Sequence, residues 1–93
     1  MKIKINYLAQ VKNAAGLSEE VMTVEENCSL KQLVTEYLCK KNKELKDLFL
    51  KENGEINHSI LIFVGDEQAK ADDSTKQLDD GAELTIMTPI AGG

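Results

Sequence analysis

Arginine is absent from this chain of 93 residues, and so is tryptophan. The eleven basic residues are all lysines, set against sixteen acidic ones for a formal net charge of −5. Without arginine there is no bidentate grip on phosphate, and an acidic chain is a poor match for a polyanion. Aromatic residues make up only 4%, too few to build a stacking platform for bases. A nucleic-acid partner is therefore not expected; the excess acidity suits a basic protein surface. The longest apolar run, Ile60 to Val64, falls far short of the roughly 20 residues of a membrane span. The amino-terminal Met1-Lys2-Ile3-Lys4-Ile5 has no apolar core of a signal peptide.

Cysteine and histidine are equally scarce: Cys28, Cys39 and the lone His58. Ser29 opens a helix and Cys39 lies near its end. Ten residues of helix separate the thiols by roughly 15 Å, and a disulfide needs Cα atoms within about 7 Å. Two unpaired thiols point to a reducing compartment, the cytoplasm. This set does not make a structural zinc or iron–sulfur framework, so no metal is expected. Helical spacing puts Cys39 on the polar side, predicting an exposed thiol. His58 has no partner acid at motif spacing and reads as a solvated loop histidine. The Asp72-Asp73 and Asp79-Asp80 pairs read as solvated turns rather than metal ligands.

What is present fits one domain, residues 1–93. Hydrophobic residues are 42% of the chain, enough for a single core. Residues 2–8 alternate, with Ile3, Ile5 and Tyr7 on one face, which predicts a half-buried strand. Asn13-Ala14-Ala15-Gly16 interrupts it. Residues 19–25 predict a second strand, with either Met22 and Val24 or Val21 and Thr23 inward. A connection of about ten residues makes the pair a hairpin. Ser29, with Gln32 three residues on, is a capping box. Leu30, Leu33, Val34, Tyr37 and Leu38 then form one apolar helical stripe, and Lys40, Lys41 and Lys43 suit the helix carboxyl end. Leu45, Leu48 and Phe49 predict a short second helix or turn, ended by Asn53-Gly54. Residues 60–64 predict a strand that is covered on both sides or internal. Residues 67–70 predict a short strand, and 83–88 a last one with Leu84 and Ile86 on one side, stopped by Pro89.

One main helix must then cover a mixed sheet of four to five strands, an α+β arrangement. In this order the first and last strands can lie side by side, parallel, at the centre. That layout is the β-grasp, or ubiquitin-like, fold. Pro89-Ile90-Ala91-Gly92-Gly93 follows as a stiff exit with a flexible tail, residues 89–93. A terminal carboxylate is a poor electrophile until adenylation gives it a good leaving group. Two residues without Cβ can thread a narrow channel to the activating site. The competing explanation is a frayed terminus without function.

With these features the sequence resembles the MoaD/ThiS family of ubiquitin-like sulfur carriers along nearly its whole length. The resemblance rests on Tyr7 to Lys12 followed by Ala15-Gly16, on Ser29 to Leu33, and on Ile62 to Glu67. Its most specific parts are Leu78-Asp79-Asp80-Gly81-Ala82-Glu83-Leu84 and Pro89 to Gly93. It implies that Gly93 is adenylated by an E1-like enzyme and converted to a thiocarboxylate, with Gly92, Ala91 and Pro89 threading the tail. It implies a carrier rather than an enzyme, catalytic only within a synthase complex. No cofactor is bound by the chain itself; ATP is used by the activating partner. The chain is long for the family's thiamine branch, and the segment from Asn42 to His58 is more typical of its molybdopterin-type and cysteine-pathway carriers; the expected carrier is a molybdopterin synthase small subunit, whose further partner is the large subunit. Another sulfur-accepting enzyme, as in a cysteine pathway, is the alternative, and so is a modifier conjugated to lysines. Leu8 is out of phase with the inward Ile3, Ile5 and Tyr7, and the family's docking on the sheet face near the tail makes Leu8, Phe63 or Met87 the expected partner contacts.

Overall fold

The computed structural model describes residues 1–57 and 59–88. The first strand, β1, is Lys2–Leu8, and every second side chain from Ile3 to Tyr7 is buried. The second, β2, is Glu19–Thr23, antiparallel to β1 with Ile3 opposite Met22 and Lys4 opposite Val21. That register decides the open question of facing. Met22 and Val24 turn to the core, and Val21 stands 61% exposed on the other side.

The connection between these strands is not an open loop. It is a helix, α1, over Ala9–Ala15. Leu8 is still extended, and Ala9 at φ 56° swings the chain directly from strand into helix. Gly16 at φ 80° closes the helix, donating its N–H to the Lys12 carbonyl. Val11 is its one fully buried side chain, so no apolar stripe advertised it in the sequence.

The main helix, α2, covers residues 30–41. Its N-cap is as expected: Ser29 Oγ accepts from the Gln32 N–H at 3.1 Å. Leu30, Leu33, Val34 and Leu38 are fully buried, and Tyr37 is half-buried, its hydroxyl accepting from the Glu25 N–H. The middle of the helix, Leu33–Leu38, is a π-helix, and the Cys39 N–H reaches back five residues to the Val34 carbonyl. The wider turn rotates the residues after it relative to a regular helix. Cys39 is thereby only 5% exposed, contrary to the expectation of an exposed thiol. Asn42 breaks the run at φ −148° and caps the next helix, α3 (Lys43–Phe49), by accepting from the Glu44 N–H. Its Nδ2 also donates to the Ala14 carbonyl, which ties α3 to α1. Lys43 therefore opens a helix instead of ending one. Leu45 and Phe49 complete the core on this side.

Three more strands follow: β3 Leu61–Val64, β4 Glu67–Ala69 and β5 Glu83–Met87. Gly65, at φ 61°, allows the two-residue turn between β3 and β4. The five-stranded mixed sheet runs β2-β1-β5-β3-β4, with β1 and β5 parallel at its centre. Asp79-Asp80-Gly81 is a turn that fastens the start of β5 beside the start of β1. Asp80 accepts from the Lys2 N–H, and Gly81, at φ 83°, donates to the Lys2 carbonyl. The helical layer covers one face of the sheet, and the other face is open.

Tyr7 is fully buried, and its hydroxyl donates to Glu20 at 2.6 Å; the same carboxylate pairs with Lys41. Burial first, then the Glu20 hydrogen bond and charge, raise the Tyr7 hydroxyl well above the ordinary tyrosine range. An unfolded tyrosine titrates near about pH 10. Below that pH the contribution to stability is complete. Above it the unfolded chain releases a proton that the folded chain retains, so stability falls as pH rises toward the folded value. Urea unfolding is expected to show Tyr7→Phe losing about 1.5–3 kcal/mol near neutral pH, with a shallower alkaline decline than the parent. Ala9→Gly is expected to gain about 0.5–1 kcal/mol in the same assay, because the left-handed strain relieved exceeds the entropy added to the unfolded chain.

Candidate docking face and carboxyl-terminal tail

The open sheet face has a polar end and an apolar end. At the polar end Lys4 pairs with Glu19 at 3.5 Å, and Asn6 Nδ2 donates to Glu83 at 2.7 Å. At the other end the parallel register sets Leu8 beside Met87, and the antiparallel one sets Leu61 on the far side of Met87. Phe63 lies one repeat along β3, opposite Thr85. Leu8 is 43% exposed, and Leu61, Phe63 and Met87 are half-buried.

The three residues expected to contact a partner, Leu8, Phe63 and Met87, thus share one face and one end of the sheet. Leu61 joins them and was missed in the sequence, where it sat inside an unbroken apolar run. The signal that could have found it is its alternation with the buried Ile60 and Ile62, which only the register resolves. Single exposed apolar side chains, such as Val21 at the other end of this face, are ordinary; Leu8, Leu61, Phe63 and Met87 adjoin one another and form the larger apolar patch.

The patch stands at the root of the tail. Strand β5 ends at Met87, and Thr88 after it is buried, so the chain is held to that point. Among the described residues Thr88 Oγ1 is buried without a hydrogen-bond partner, a local cost at this position. Pro89, Ala91, Gly92 and Gly93, the residues expected to thread and react, lie outside the described residues, as does His58.

Neither cysteine joins this site. Cys28 and Cys39 are both free and buried. Burial raises both thiols, with the Glu36 and Glu25 charges adding to the effect at Cys28 and Lys46 opposing it at Cys39. Thiols held protonated in this way are weak nucleophiles. Asp73 is used locally: its carboxylate accepts from Thr75 and from the Lys76 N–H, which holds it below the usual carboxylate range. Among the described residues no group of three or more His, Cys, Asp or Glu is placed to hold a metal ion, and no helix is long and apolar enough to cross a membrane.

No protein-family model and no curated protein matches the chain. Solved structures do. Small archaeal modifier protein 1 from Haloferax volcanii is 18% identical, with all of both chains covered and a TM-score of 0.86. The small archaeal modifier protein 1 from Methanosarcina acetivorans is 24% identical, covering 99% of this chain and 96% of that one, at a TM-score of 0.74. A putative molybdopterin converting factor, subunit 1, from Pyrococcus furiosus is 22% identical, covering 97% and 99%, also at 0.74. At such identities the likeness is one of fold, and it is the fold expected from the resemblance to the MoaD/ThiS carriers. With β1 and β5 parallel at the centre of a mixed five-stranded sheet under α2, this chain has the ubiquitin-like β-grasp fold.

Proposed function

We propose that this protein is a sulfur carrier whose Gly93 carboxylate is the reactive group. The observation that carries the reading is the pairing of Leu8 with Met87, which puts an apolar docking face at the point where the Pro89-to-Gly93 tail begins. A partner seated on Leu8, Leu61, Phe63 and Met87 would contact the chain at Met87, two residues before Pro89 in sequence. Five residues after Thr88 span at most about 17 Å, so the reacting carbon must lie close to that contact. Pro89 reduces the freedom lost on docking, and Gly92-Gly93 presents no Cβ to a narrow channel.

The partner is an E1-like adenylating enzyme that binds ATP. A carboxylate oxygen of Gly93 attacks the α-phosphorus of ATP and pyrophosphate leaves. A sulfur nucleophile then attacks the carbonyl carbon of the mixed anhydride and AMP leaves, which places sulfur at the terminus. This chain contributes the carboxylate, the slender tail and the docking face, and it acts as a cosubstrate or subunit rather than as an enzyme alone. The similarity to the Pyrococcus furiosus protein supports a molybdopterin synthase small subunit as the particular carrier, with the synthase large subunit as the acceptor of the tail. The similarity to two archaeal modifier proteins supports a second reading, in which a lysine amine displaces AMP and an isopeptide bond forms.

Intact-mass measurement after incubation with an E1-like enzyme from the same cell, ATP and a sulfur donor is expected to show one terminal oxygen replaced by sulfur. A ladder of protein adducts would instead establish the modifier. No change with any such enzyme would sink both. One residue appended after Gly93 is expected to abolish the product. Alanine at Leu8, Leu61 and Met87 together, with folding checked by chemical-shift dispersion, is expected to slow activation by about tenfold or more; unchanged activation would remove the docking face from the mechanism.

A further inference from the structure

A second surface lies on the helical side of the molecule, away from the open sheet face. Two adjoining depressions of about 480 Å³ and 560 Å³ share Lys46, Asp47 and Leu50 and form one elongated groove. It runs from Cys39, at the end of α2, along α3 to the turn at Gly54. Lys40, Lys43, Lys46 and Lys51 line it, with Leu50 and the buried Cys39 as apolar wall.

The charge of this groove is opposite to that of the chain. It holds four of the eleven lysines, yet only two of the sixteen acidic residues, Asp47 and Glu52. Asn42 creates the arrangement by ending α2 and starting α3 at once. Lys40 stays on the first helix, while Lys43 and Lys46 fall three apart on the second and share a face. None of the four has a carboxylate within 4 Å among the described residues, whereas Lys41 just beside them is engaged by Glu20. The lining thus carries four lysines against Asp47 and Glu52, an excess of positive charge on a chain whose net charge is −5.

We propose that this groove docks an acidic segment of a partner protein. Its length across two depressions favours an extended chain over a compact anion. Lysines spaced along it match carboxylates repeating along a peptide, and Leu50 offers apolar contact between the charges. Because it lies on the helical side, the groove remains open while a partner covers the sheet face and takes the tail. The chain could then be held by one protein and processed by another. The assignment is independent of the chemistry at Gly93.

The test uses the full-length, isotope-labelled protein and a synthetic peptide of alternating glutamate and leucine. Amide shifts are expected to cluster over residues 39–51 and to leave Leu8 and Met87 unmoved. Affinity is expected to fall with added salt, and by about tenfold in the triple variant Lys40→Glu, Lys43→Glu, Lys46→Glu. The corresponding glutamine variant, which removes charge without reversing it, guards against misfolding and should show an intermediate loss. Shifts spread equally over Lys2, Lys4, Lys70 and Lys76 would overturn the proposal, as would affinity unchanged in both variants. Inorganic pyrophosphate that produced the same shifts and displaced the peptide at equal concentration would also overturn it, in favour of a compact anion site.

Discussion

The parallel pairing of β1 with β5 is the contact on which the rest of the structure depends. It joins the two ends of the chain, Lys4 to Glu83 through Leu8 to Met87. Closing so long a loop costs entropy that only the completed core repays. The turn at Asp79-Asp80-Gly81 contributes by bonding the backbone of Lys2 at the entry to β5. Once this pair is formed, β2 and β3 have their edges, α2 has its platform, and the last strand points its end past Leu8. Parallel strands are usually covered on both faces. Here one face carries the helices and the other is open, with Leu8, Leu61, Phe63 and Met87 adjoining one another toward the end of β5 and Val21 apart from them. The fold leaves that end of the sheet uncovered by the helices.

The π-helical stretch in α2 is the main local departure from regular geometry. It admits one more residue to the turn without ending the helix, and it swings Cys39 to the inside. That rotation lets Leu38 and Cys39 both reach the core, although they are neighbours in sequence. It also sets the direction in which Lys40 and Lys41 leave the helix. Lys41 meets Glu20 of β2, and Lys40 turns to the groove above α3. A single backbone adjustment accompanies the burial of a thiol, the Tyr7–Glu20–Lys41 network and the separation of Lys40 from Lys41.

The net charge conceals this division of surfaces. An acidic chain presents an apolar patch on one side and a lysine-lined groove on the other, and neither resembles the average. The small size is compatible with both, because neither surface encloses a substrate.

Alternation in residues 2–8, the Ser29 cap and the stripe from Leu30 to Leu38 were readable directly, because each is a local pattern with a local cause. The order of strands and the main helix followed, and with them the β-grasp and the place of the terminal glycines in the chain. Other features depended on contacts between distant segments. Helix α1 was not legible, since Val11 alone is buried and the left-handed turn at Ala9 carries no glycine to announce it. Leu61 could not be separated from its apolar neighbours until β3 took its register against β5. Cys39 was placed by periodicity on the wrong side, because a π turn is imposed by packing and leaves the sequence pattern unchanged. The sequence determined which segments could be strand or helix, and that Gly92-Gly93 come shortly after the last strand. Only the tertiary structure decided what stands beside the root of that tail, because Leu8 and Met87 become neighbours through a pairing that spans almost the entire chain.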